Sequence, residues 1–413
     1  MPLTLSLATN VFWVLGFLLL VTSVAALRDG FRFLRYVRAS RRQPLNNDRP
    51  SVTVVIPCKG LDSNLSVAAE RFLSQQYPHF EVVFVVASEK DPAHGFLAER
   101  LKHDFPPDGP RPTRTSLVVA GYSQVRGEKV NNLLKGVEAA NADSELLAFA
   151  DADAKPGPDW LESLVSPLAD PNVTVSTGFR WYIPGRSFTS QLRAAWDTSI
   201  ATLLGDHEHN FAWGGSMAIR AADFRRLRIA ERYWANAVSD DYALTRAVRE
   251  AGGKIHFQPR CLVASFEDLS LRNFWRWSNR QIIITRVYAP HLWGLGMAAH
   301  ALYCGTWLLG VWLALARGPF EFRLAVGVIL LVILALGMGK GWLRTLVARE
   351  FFPEENTFLT RYGASYWQLS PIVPWVMLGN FIVAAFSRRI EWGGTHYLLP
   401  SRNEVRVLRR EEM

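Results

Sequence analysis

An uncharged apolar segment near the N-terminus restricts what this chain can fold into, because it is long enough to cross a bilayer. The segment is Asn10–Leu27, and no Asp, Glu, Lys or Arg interrupts it. Arginines follow it closely, namely Arg28, Arg32, Arg35, Arg38, Arg41 and Arg42. The positive-inside rule places the N-terminus outside and the following residues in the cytoplasm. A cleaved signal peptide, the alternative, carries its positive charge before the apolar run.

Apolar character returns in the C-terminal part of the chain. Leu295–Ala316 and Leu324–Gly339 have the composition of membrane spans. A third run, Trp367–Phe386, contains Pro371 and Pro374 and is a further span, a re-entrant segment or an interfacial segment. The arginines of the tail favour the cytoplasmic side, whereas four full crossings would place that tail outside.

Composition excludes several other classes. The 413 residues are 49% hydrophobic and 20% charged, which is too apolar for a disordered chain. The 3 cysteines are too few for a disulfide scaffold. The net charge of +9 lies largely beside the apolar runs, so a membrane surface explains it and no nucleic-acid partner is required.

The stretch between the two apolar regions has the pattern of a globular α/β domain. Short β-branched runs predict strands, and amphipathic patterns between them predict helices. The strands are expected at Ser51–Pro57, Phe80–Ala87 and Ser144–Asp151, and the helices at Leu65–Gln76 and Lys129–Ala140. This alternation predicts a parallel sheet with ligands at the carboxyl ends of its strands.

An acidic pair, Asp151 and Asp153, stands where the third predicted strand ends. Carboxylates at alternate positions of a strand end can converge on one cation, and Mg²⁺ and Mn²⁺ prefer such oxygens. A pair of solvated surface carboxylates is the alternative.

A second acidic pair, Asp240 and Asp241, opens the amphipathic helix Ala243–Glu250. Acidic residues at a helix N-terminus ordinarily act as caps that the helix dipole stabilises. The functional interpretation is that one carboxylate removes a proton from an acceptor hydroxyl.

The predicted helix Leu271–Tyr288 combines arginines with tryptophans. Arg272, Arg276 and Arg280 fall on one face. Such a helix is typical of a membrane interface, where its arginines meet anionic headgroups. Alternatively, an arginine turns inward toward a pyrophosphate. Trp277 is then an acceptor platform or part of an aromatic belt.

Two lysines near strand ends form a weaker set. Lys59 follows the first predicted strand, and Lys129 opens a helix. Lysines and helix-start amides in these places suit the phosphates of a nucleotide, although each lysine alone fits a solvated surface equally well. Zinc-site, P-loop, dinucleotide-binding and serine-elbow motifs are absent from the sequence.

Taken in order, these segments resemble the ceramide glucosyltransferase-like glycosyltransferases of family 21, within the family 2-type GT-A superfamily, including bacterial relatives. The matching segments are VVIPCKGLDSNL, QQYPHFEVVFVV, EKVNNL, the Asp151–Asp153 triplet, WGGSMAIRAADF, SDDYALTRAVREAGGKI, FWRWSNRQ and IEWGGTHYLL. The resemblance implies an α/β GT-A fold flanked by transmembrane helices.

The resemblance also implies roles for individual residues. Asp241 is expected as the catalytic base and Asp153 as the ligand of a divalent metal, Mg²⁺ or Mn²⁺. The nucleotide-sugar contacts are expected from Pro57, Lys59, Glu89, Lys129, Asp151, Arg276 and Trp277. The acceptor side is expected from Gly214, Gly215 and Asp240.

The sequence departs from the family pattern in two places. Ser88 stands where the family usually has an aspartate after the second strand, with Glu89 and Asp91 as substitutes. Asn273 stands at the first position of the (Q/R)xxRW motif, while Arg276 and Trp277 are intact. These departures concern the nucleotide contacts and the choice of sugar.

We therefore expect an inverting enzyme that transfers a hexose, first of all glucose, from a UDP-sugar to the hydroxyl of a membrane lipid, first of all ceramide. Hopanoid or diacylglycerol acceptors are alternatives, as are a processive polysaccharide synthase and a non-catalytic membrane binding protein. The expected organisation is a membrane helix over residues 1–28, a basic linker over 29–49, a cytoplasmic transferase domain over 50–269, an interfacial helix over 270–290, a membrane region with two or three hydrophobic segments over 291–387 and a basic tail over 388–413.

Overall fold

The computed structural model describes residues 3–61, 63–103, 111–316 and 318–411. The ends of the predicted segments 1–28 and 388–413 therefore lie partly outside the described residues. The chain divides into two compact units. The helical unit comprises the residues up to Tyr36, Tyr182–Thr202 and Phe266–Ser387, and the sheet unit comprises Val37–Trp181, Leu203–Ser265 and the residues from Arg388 onward.

The helices and strands alternate through the first part of the chain. In chain order the α-helices are α1 (Leu3–Ser40), α2 (Ser63–Leu73), α3 (Pro92–Arg100), α4 (Glu128–Ala139), α5 (Trp160–Val165), α6 (Phe188–Ala201), α7 (Ala221–Arg226), α8 (Asp240–Glu250), α9 (Leu271–Tyr288), α10 (Pro290–Leu315), α11 (Phe320–Phe351), α12 (Asn356–Tyr362), α13 (Ser365–Gln368) and α14 (Val373–Phe386). The strands are β1 (Val52–Pro57), β2 (Phe80–Val86), β3 (Arg114–Val119), β4 (Leu146–Ala150), β5 (Val173–Tyr182), β6 (Ser216–Arg220), β7 (Lys254–Ser265), β8 (Arg389–Trp392), β9 (Thr395–Ser401) and β10 (Glu404–Arg410).

A seven-stranded mixed sheet has the order β3-β2-β1-β4-β6-β5-β7. β1 pairs in parallel with β2 and with β4, and β2 pairs in parallel with β3. β6 is antiparallel to both β4 and β5. The three strands expected from the sequence are confirmed as parallel neighbours, and the sheet becomes mixed at β6.

Buried apolar side chains explain why β1, β2 and β4 form the centre of this sheet. All residues of β2 and β4 are buried, as are the first five of β1. Such continuous apolar runs are typical of strands covered on both faces. α2 and α5 contribute to the same core, where the rings of Phe72 and Trp160 meet edge to face at 5.3 Å.

Among the described residues, three helices are long and apolar enough to cross a membrane: Ser6–Ser40, Pro290–Leu315 and Phe320–Phe351. α14 is apolar but has only 14 residues. Phe12 of α1, Leu313 of α10 and Leu330 of α11 belong to one buried cluster of the helical unit.

The first helix continues beyond the predicted span. α1 runs to Ser40, since no proline interrupts the residues after Leu27, so Arg32, Arg35 and Arg38 of the predicted linker belong to the same helix, whereas Arg41 and Arg42 follow its end. Gly30 permits a close approach within the helical unit, since a Cβ there would lie 2.9 Å from Leu343 Cδ1.

The residues predicted as a basic tail contain a three-stranded antiparallel sheet of order β10-β9-β8. Gly393 and Gly394 join β8 to β9, and both have positive φ angles, which glycine adopts without strain. This small sheet belongs to the sheet unit and contacts α4, because the amide of Glu128 donates to the Tyr397 hydroxyl at 3.2 Å.

Candidate active site

The site lies at the carboxyl edge of the mixed sheet. β1 ends at Pro57 and β4 ends at Ala150, and the two strands run in parallel register, with Val55 opposite Phe149. Residues that follow these strands therefore reach the same edge of the sheet. Asp151 and Asp153 follow β4 directly, as the sequence predicts.

Arg180 of β5 joins the two carboxylates of the first acidic pair. One guanidinium nitrogen lies 2.9 Å from Asp151 Oδ2 and 2.7 Å from Asp153 Oδ1. The guanidinium also lies 5.3 Å from the ring centre of Trp213, within cation–π range. The side chains of Asp151 and Asp153 thus converge on a single cationic group.

Lys129 of α4 connects this pair to the second acidic pair. Its ammonium lies 2.8 Å from Asp151 Oδ1 and 3.2 Å from Asp240 Oδ2. The side chain of Asp240 is 2% exposed and that of Lys129 is 16% exposed, so the contacts form largely away from solvent. The two acidic pairs, far apart in sequence, belong to one charged network.

Burial and neighbouring charges shift the pKa values of the groups in this network. Burial, aided by Asp241 and Asp151, raises the pKa of Asp240 to about 6, although Lys129 opposes the shift. For Asp151, burial disfavours the charged form, but Lys129 and Arg180 outweigh it and lower the pKa. Burial likewise opposes charge on Lys129, yet the nearby carboxylates raise its pKa. Strongly perturbed groups that cluster at a sheet edge are typical of functional sites.

Gly214 and Gly215 provide the space for these side chains. A Cβ on Gly214 would overlap Oδ2 of Asp240 and lie 2.8 Å from the ammonium of Lys129. A Cβ on Gly215 would overlap the Trp213 ring and lie 2.6 Å from Asp151 Oδ2. Both glycines therefore lie against the acidic groups that the sequence analysis assigned to the site.

Asp241 lies in the first turn of α8, and Ser239 caps that helix. The Ser239 hydroxyl accepts a bond from the Tyr242 amide at 3.2 Å and donates to Oδ1 of Asp241. The Tyr242 amide also donates to Oδ1 of Asp241, at 2.7 Å. Asp241 is half-buried, and these bonds hold its carboxylate in one orientation through a single oxygen.

The residues after β1 lie against the start of α4. Lys59 forms an ion pair of 2.7 Å with Glu128, and the Gly60 amide donates to Asp91 Oδ1 at 2.8 Å. Asp91 is buried and also caps α3. Glu89, which the sequence analysis proposed as the substitute near Ser88, is exposed. Of the two substitutes considered, Asp91 is the one that contacts the loop after β1.

Arg276 and Trp277 lie in α9 of the helical unit. Arg276 is exposed and Trp277 is half-buried. The Arg193 guanidinium lies 4.3 Å from the Trp277 ring centre, and the Trp196 ring meets Trp277 at 5.1 Å. The predicted helix Leu271–Tyr288 is confirmed in its bounds, and packing within the helical unit fixes its tryptophan.

Sequence reasoning missed Arg180 and Arg193. Arg180 stands between Phe179 and Trp181 in an otherwise uncharged strand, and an arginine in such a run generally requires a partner. Arg193 is 2% exposed and pairs with Glu267. In both cases the arginine is visible in the sequence, but the partners that it contacts are not.

The donor set fits a hard divalent cation. Asp151 and Asp153 present carboxylate oxygens that already share one positively charged nitrogen. Within the residues that the structure describes, no group of three or more His, Cys, Asp or Glu side chains forms a candidate metal site. A cation held by two carboxylates keeps positions for phosphate oxygens, as is usual for Mg²⁺.

A mixed, mostly parallel α/β sheet with two joined acidic pairs at its carboxyl edge, accompanied by long apolar helices, fits an α/β fold of the GT-A type with transmembrane helices. The chain belongs to glycosyl transferase family 21, whose profile matches residues 15–405. It is accordingly a glycosyltransferase, and its three long apolar helices make it a membrane protein.

Individual related proteins match a smaller part of this chain than the family profile does. A ceramide glucosyltransferase of Komagataella phaffii is 30% identical over 118 residues, which are 27% of this chain and 22% of the relative. The match thus spans about a fifth of that relative's length.

Two structures of glucosyl-3-phosphoglycerate synthase from Mycobacterium tuberculosis are also similar. The complex with phosphoglyceric acid is 15% identical with a TM-score of 0.37, covering 62% of this chain and 84% of that one. The complex with Mn²⁺, UDP and glucosyl-3-phosphoglycerate is 14% identical with the same coverage and TM-score, 62%, 84% and 0.37.

Proposed function

We propose that this enzyme transfers a hexose, first of all glucose, from a UDP-sugar to the hydroxyl group of a membrane lipid, first of all ceramide. The observation that carries the proposal is the bridge that Lys129 forms between Asp151 and Asp240. This bridge brings a donor-side acidic pair and an acceptor-side acidic pair into one site. A transferase needs its donor-binding side and its acceptor-binding side to meet in one site.

We assign the donor's phosphates to the side of the site that carries Lys59 and Lys129. Lys59 lies near the carboxyl end of β1, and Lys129 lies at the start of α4. The N-terminus of that helix favours negative charge as well. Pro57 ends β1 beside them. We assign Glu89, Arg276 and Trp277 to the donor from the family resemblance.

Asp153, with Asp151, would hold the divalent cation. When bound, such an ion offsets the negative charge that develops on the departing diphosphate. Lys129 is proposed to supply further positive charge for the same purpose, and Arg276 is assigned this role from the family resemblance alone.

Asp241 is the proposed general base. Its Oδ1 is fixed by Ser239 and Tyr242, so Oδ2 is the oxygen that receives the proton. As the acceptor oxygen attacks the anomeric carbon, the new C–O bond forms and the bond from that carbon to the β-phosphate oxygen breaks. The electron pair leaves with UDP, and the hydroxyl proton passes to Asp241. A single displacement inverts the anomeric configuration and requires no second catalytic carboxylate.

The acceptor is proposed to be a lipid because three helices in the described part of the chain are long and apolar enough to cross a bilayer. Gly214, Gly215 and Asp240 are assigned to its side of the site. The arginines after the first apolar segment support a cytoplasmic position for the sheet unit, where a soluble UDP-sugar is available.

UDP release provides the test. The full-length protein in lipid nanodiscs is incubated with UDP-glucose or another UDP-sugar and with ceramide, diacylglycerol or a hopanoid. UDP release that depends on ceramide, with one glycosylated lipid as product, supports the proposal. Release that depends on another lipid changes the acceptor, and a polymeric product or no release with any pair contradicts the proposal.

Metal dependence is tested separately. EDTA should abolish UDP release, and added Mn²⁺ or Mg²⁺ should restore it. Full activity in EDTA would show that Asp153 does not act as a ligand of a required metal ion.

A further inference from the structure

Arg180 occupies the place between the carboxylates where a bridging cation would bind. One of its nitrogens contacts one oxygen of Asp151 and one of Asp153, at 2.9 and 2.7 Å. A divalent ion that used the same two oxygens would have to displace this nitrogen, because both cannot occupy one position. Arg180 and the ion are therefore competitors.

The charges around Arg180 lead to the same conclusion. Asp151, Asp153 and Asp240 supply up to three negative charges, and Lys129 and Arg180 offset two of them in direct ion pairs. A divalent ion added while Lys129 and Arg180 hold these oxygens would lie beside two positive charges in a half-buried site, which is unfavourable. A diphosphate that arrives with the ion supplies the missing negative charge, and a guanidinium is well suited to pair with it.

The packing of Arg180 is compatible with such an exchange. Its side chain is 13% exposed and lies against the Trp213 ring, while Asp153 is 40% exposed. The guanidinium thus has a flat apolar support that does not depend on the carboxylates. Asp153 is the more accessible of the two carboxylates, since Asp151 is 21% exposed.

We propose that Arg180 competes with the divalent ion for Asp151 and Asp153. This competition keeps the affinity of the protein for the metal low until the donor binds. On donor binding the ion replaces the guanidinium at Asp151 and Asp153, and Arg180 pairs with the diphosphate. This inference rests on the proposed function, because the diphosphate is the partner that receives Arg180. It makes Arg180 a donor-binding residue and couples metal binding to nucleotide binding.

Mn²⁺ binding measures the competition without sugar transfer. Free Mn²⁺ is titrated by electron paramagnetic resonance against the full-length protein in nanodiscs, with and without UDP. We expect Arg180→Gln to bind Mn²⁺ about tenfold more tightly than the wild type without UDP, a change of about 1.4 kcal/mol. We also expect UDP to increase the Mn²⁺ affinity of the wild type by a larger factor than that of Arg180→Gln.

Two further variants make the result specific. Arg226→Gln removes another arginine–aspartate ion pair of the sheet unit, between Arg226 and Asp223 at 2.6 Å, and should leave Mn²⁺ binding unchanged. Arg180→Lys keeps one positive charge and should give an affinity between those of the wild type and Arg180→Gln. It also provides a readout if the glutamine variant does not fold.

Equal Mn²⁺ affinities in the wild type and in folded Arg180 variants, or no Mn²⁺ binding by any of them, would overturn the inference. The proposed function fails independently of this result. If the Arg180 variants change the Mn²⁺ affinity but no UDP-sugar is used, Arg180 still competes with the ion and the proposed transfer reaction is wrong. If the lipid is glycosylated and the Mn²⁺ affinities are unchanged, the transfer reaction stands and the competition is wrong.

Discussion

The ammonium of Lys129 lies 2.8 Å from Oδ1 of Asp151, so the first residue after β4 is bound to the first turn of α4. This contact determines how the site is assembled, because Lys129 reaches Asp240 from the same position. A change at this lysine should therefore affect both acidic pairs.

Removal of the Lys129 ammonium should destabilise the protein strongly. Lys129→Met removes the cationic partner of the buried Asp240 carboxylate, while the half-buried Asp151 keeps Arg180, and breaking a buried pair costs about 3–5 kcal/mol. We expect a clearly lower Tm, measured by intrinsic fluorescence in nanodiscs. The control is Lys135→Met on the same helix, whose exposed pair with Glu138 is worth about 0–1 kcal/mol. An equal loss in both variants would contradict the role of the buried network.

Loss of the proposed base should remove transfer and preserve donor binding. Asp241→Asn cannot accept the proton, so kcat should fall by roughly 10²- to 10⁴-fold. The affinity for UDP, measured by calorimetry, should stay close to that of the wild type. Asp143→Asn, at an exposed position before β4, should leave both quantities unchanged. Normal turnover by Asp241→Asn would exclude this residue as the base.

Stability should depend on pH through Asp240. Burial raises the pKa of its carboxyl to about 6, above the ordinary value of 3.8, so the folded state holds a proton that the unfolded chain releases between these values. The contribution of Asp240 to stability is therefore fully present below the ordinary value and is lost as the pH rises through about 6.

Asp240→Asn removes this titration at nearly constant size. Thermal unfolding from pH 4 to pH 7 should show the wild type losing stability relative to the variant as the pH rises. Parallel pH profiles for the two proteins would show that Asp240 has no raised pKa.

A single methyl group at Gly214 should disrupt the site. In Gly214→Ala the new Cβ overlaps Asp240 and crowds Lys129, and overpacking of this kind costs about 1–3 kcal/mol. We expect a lower Tm and little remaining UDP release. Gly95→Ala is the matched control: a Cβ at this position of α3 has nothing within 4 Å, and alanine should stabilise the helix by about 1 kcal/mol. Wild-type activity in Gly214→Ala would show that the close contact is not required.

Much of the architecture follows from local sequence. The strands at Val52–Pro57, Phe80–Val86 and Leu146–Ala150 are visible as short apolar runs, because burial on both faces requires apolar residues at every position. The helix at Leu271–Tyr288 is visible from its periodicity. β3 is less visible, because it is partly exposed along most of its length and carries polar residues.

The candidate site was predictable only in part. Asp151, Asp153 and Asp241 could be proposed from their positions at a strand end and at a helix start. The arginines of the tail predict a basic segment, whereas its pairing into β8, β9 and β10 depends on contacts between strands. The composition of the tail shows its positive charge, whereas the pairing of its strands depends on their register.

The sequence by itself determined the membrane segments, the central parallel strands and the identities of the acidic pairs. Only the tertiary structure decided that Lys129 joins Asp151 to Asp240, and that Arg180 lies between Asp151 and Asp153. The physical reason is distance along the chain. Periodicity and end signals act over a few residues, whereas an ion pair between separate elements depends on how the sheet orders its strands and on where each side chain is buried.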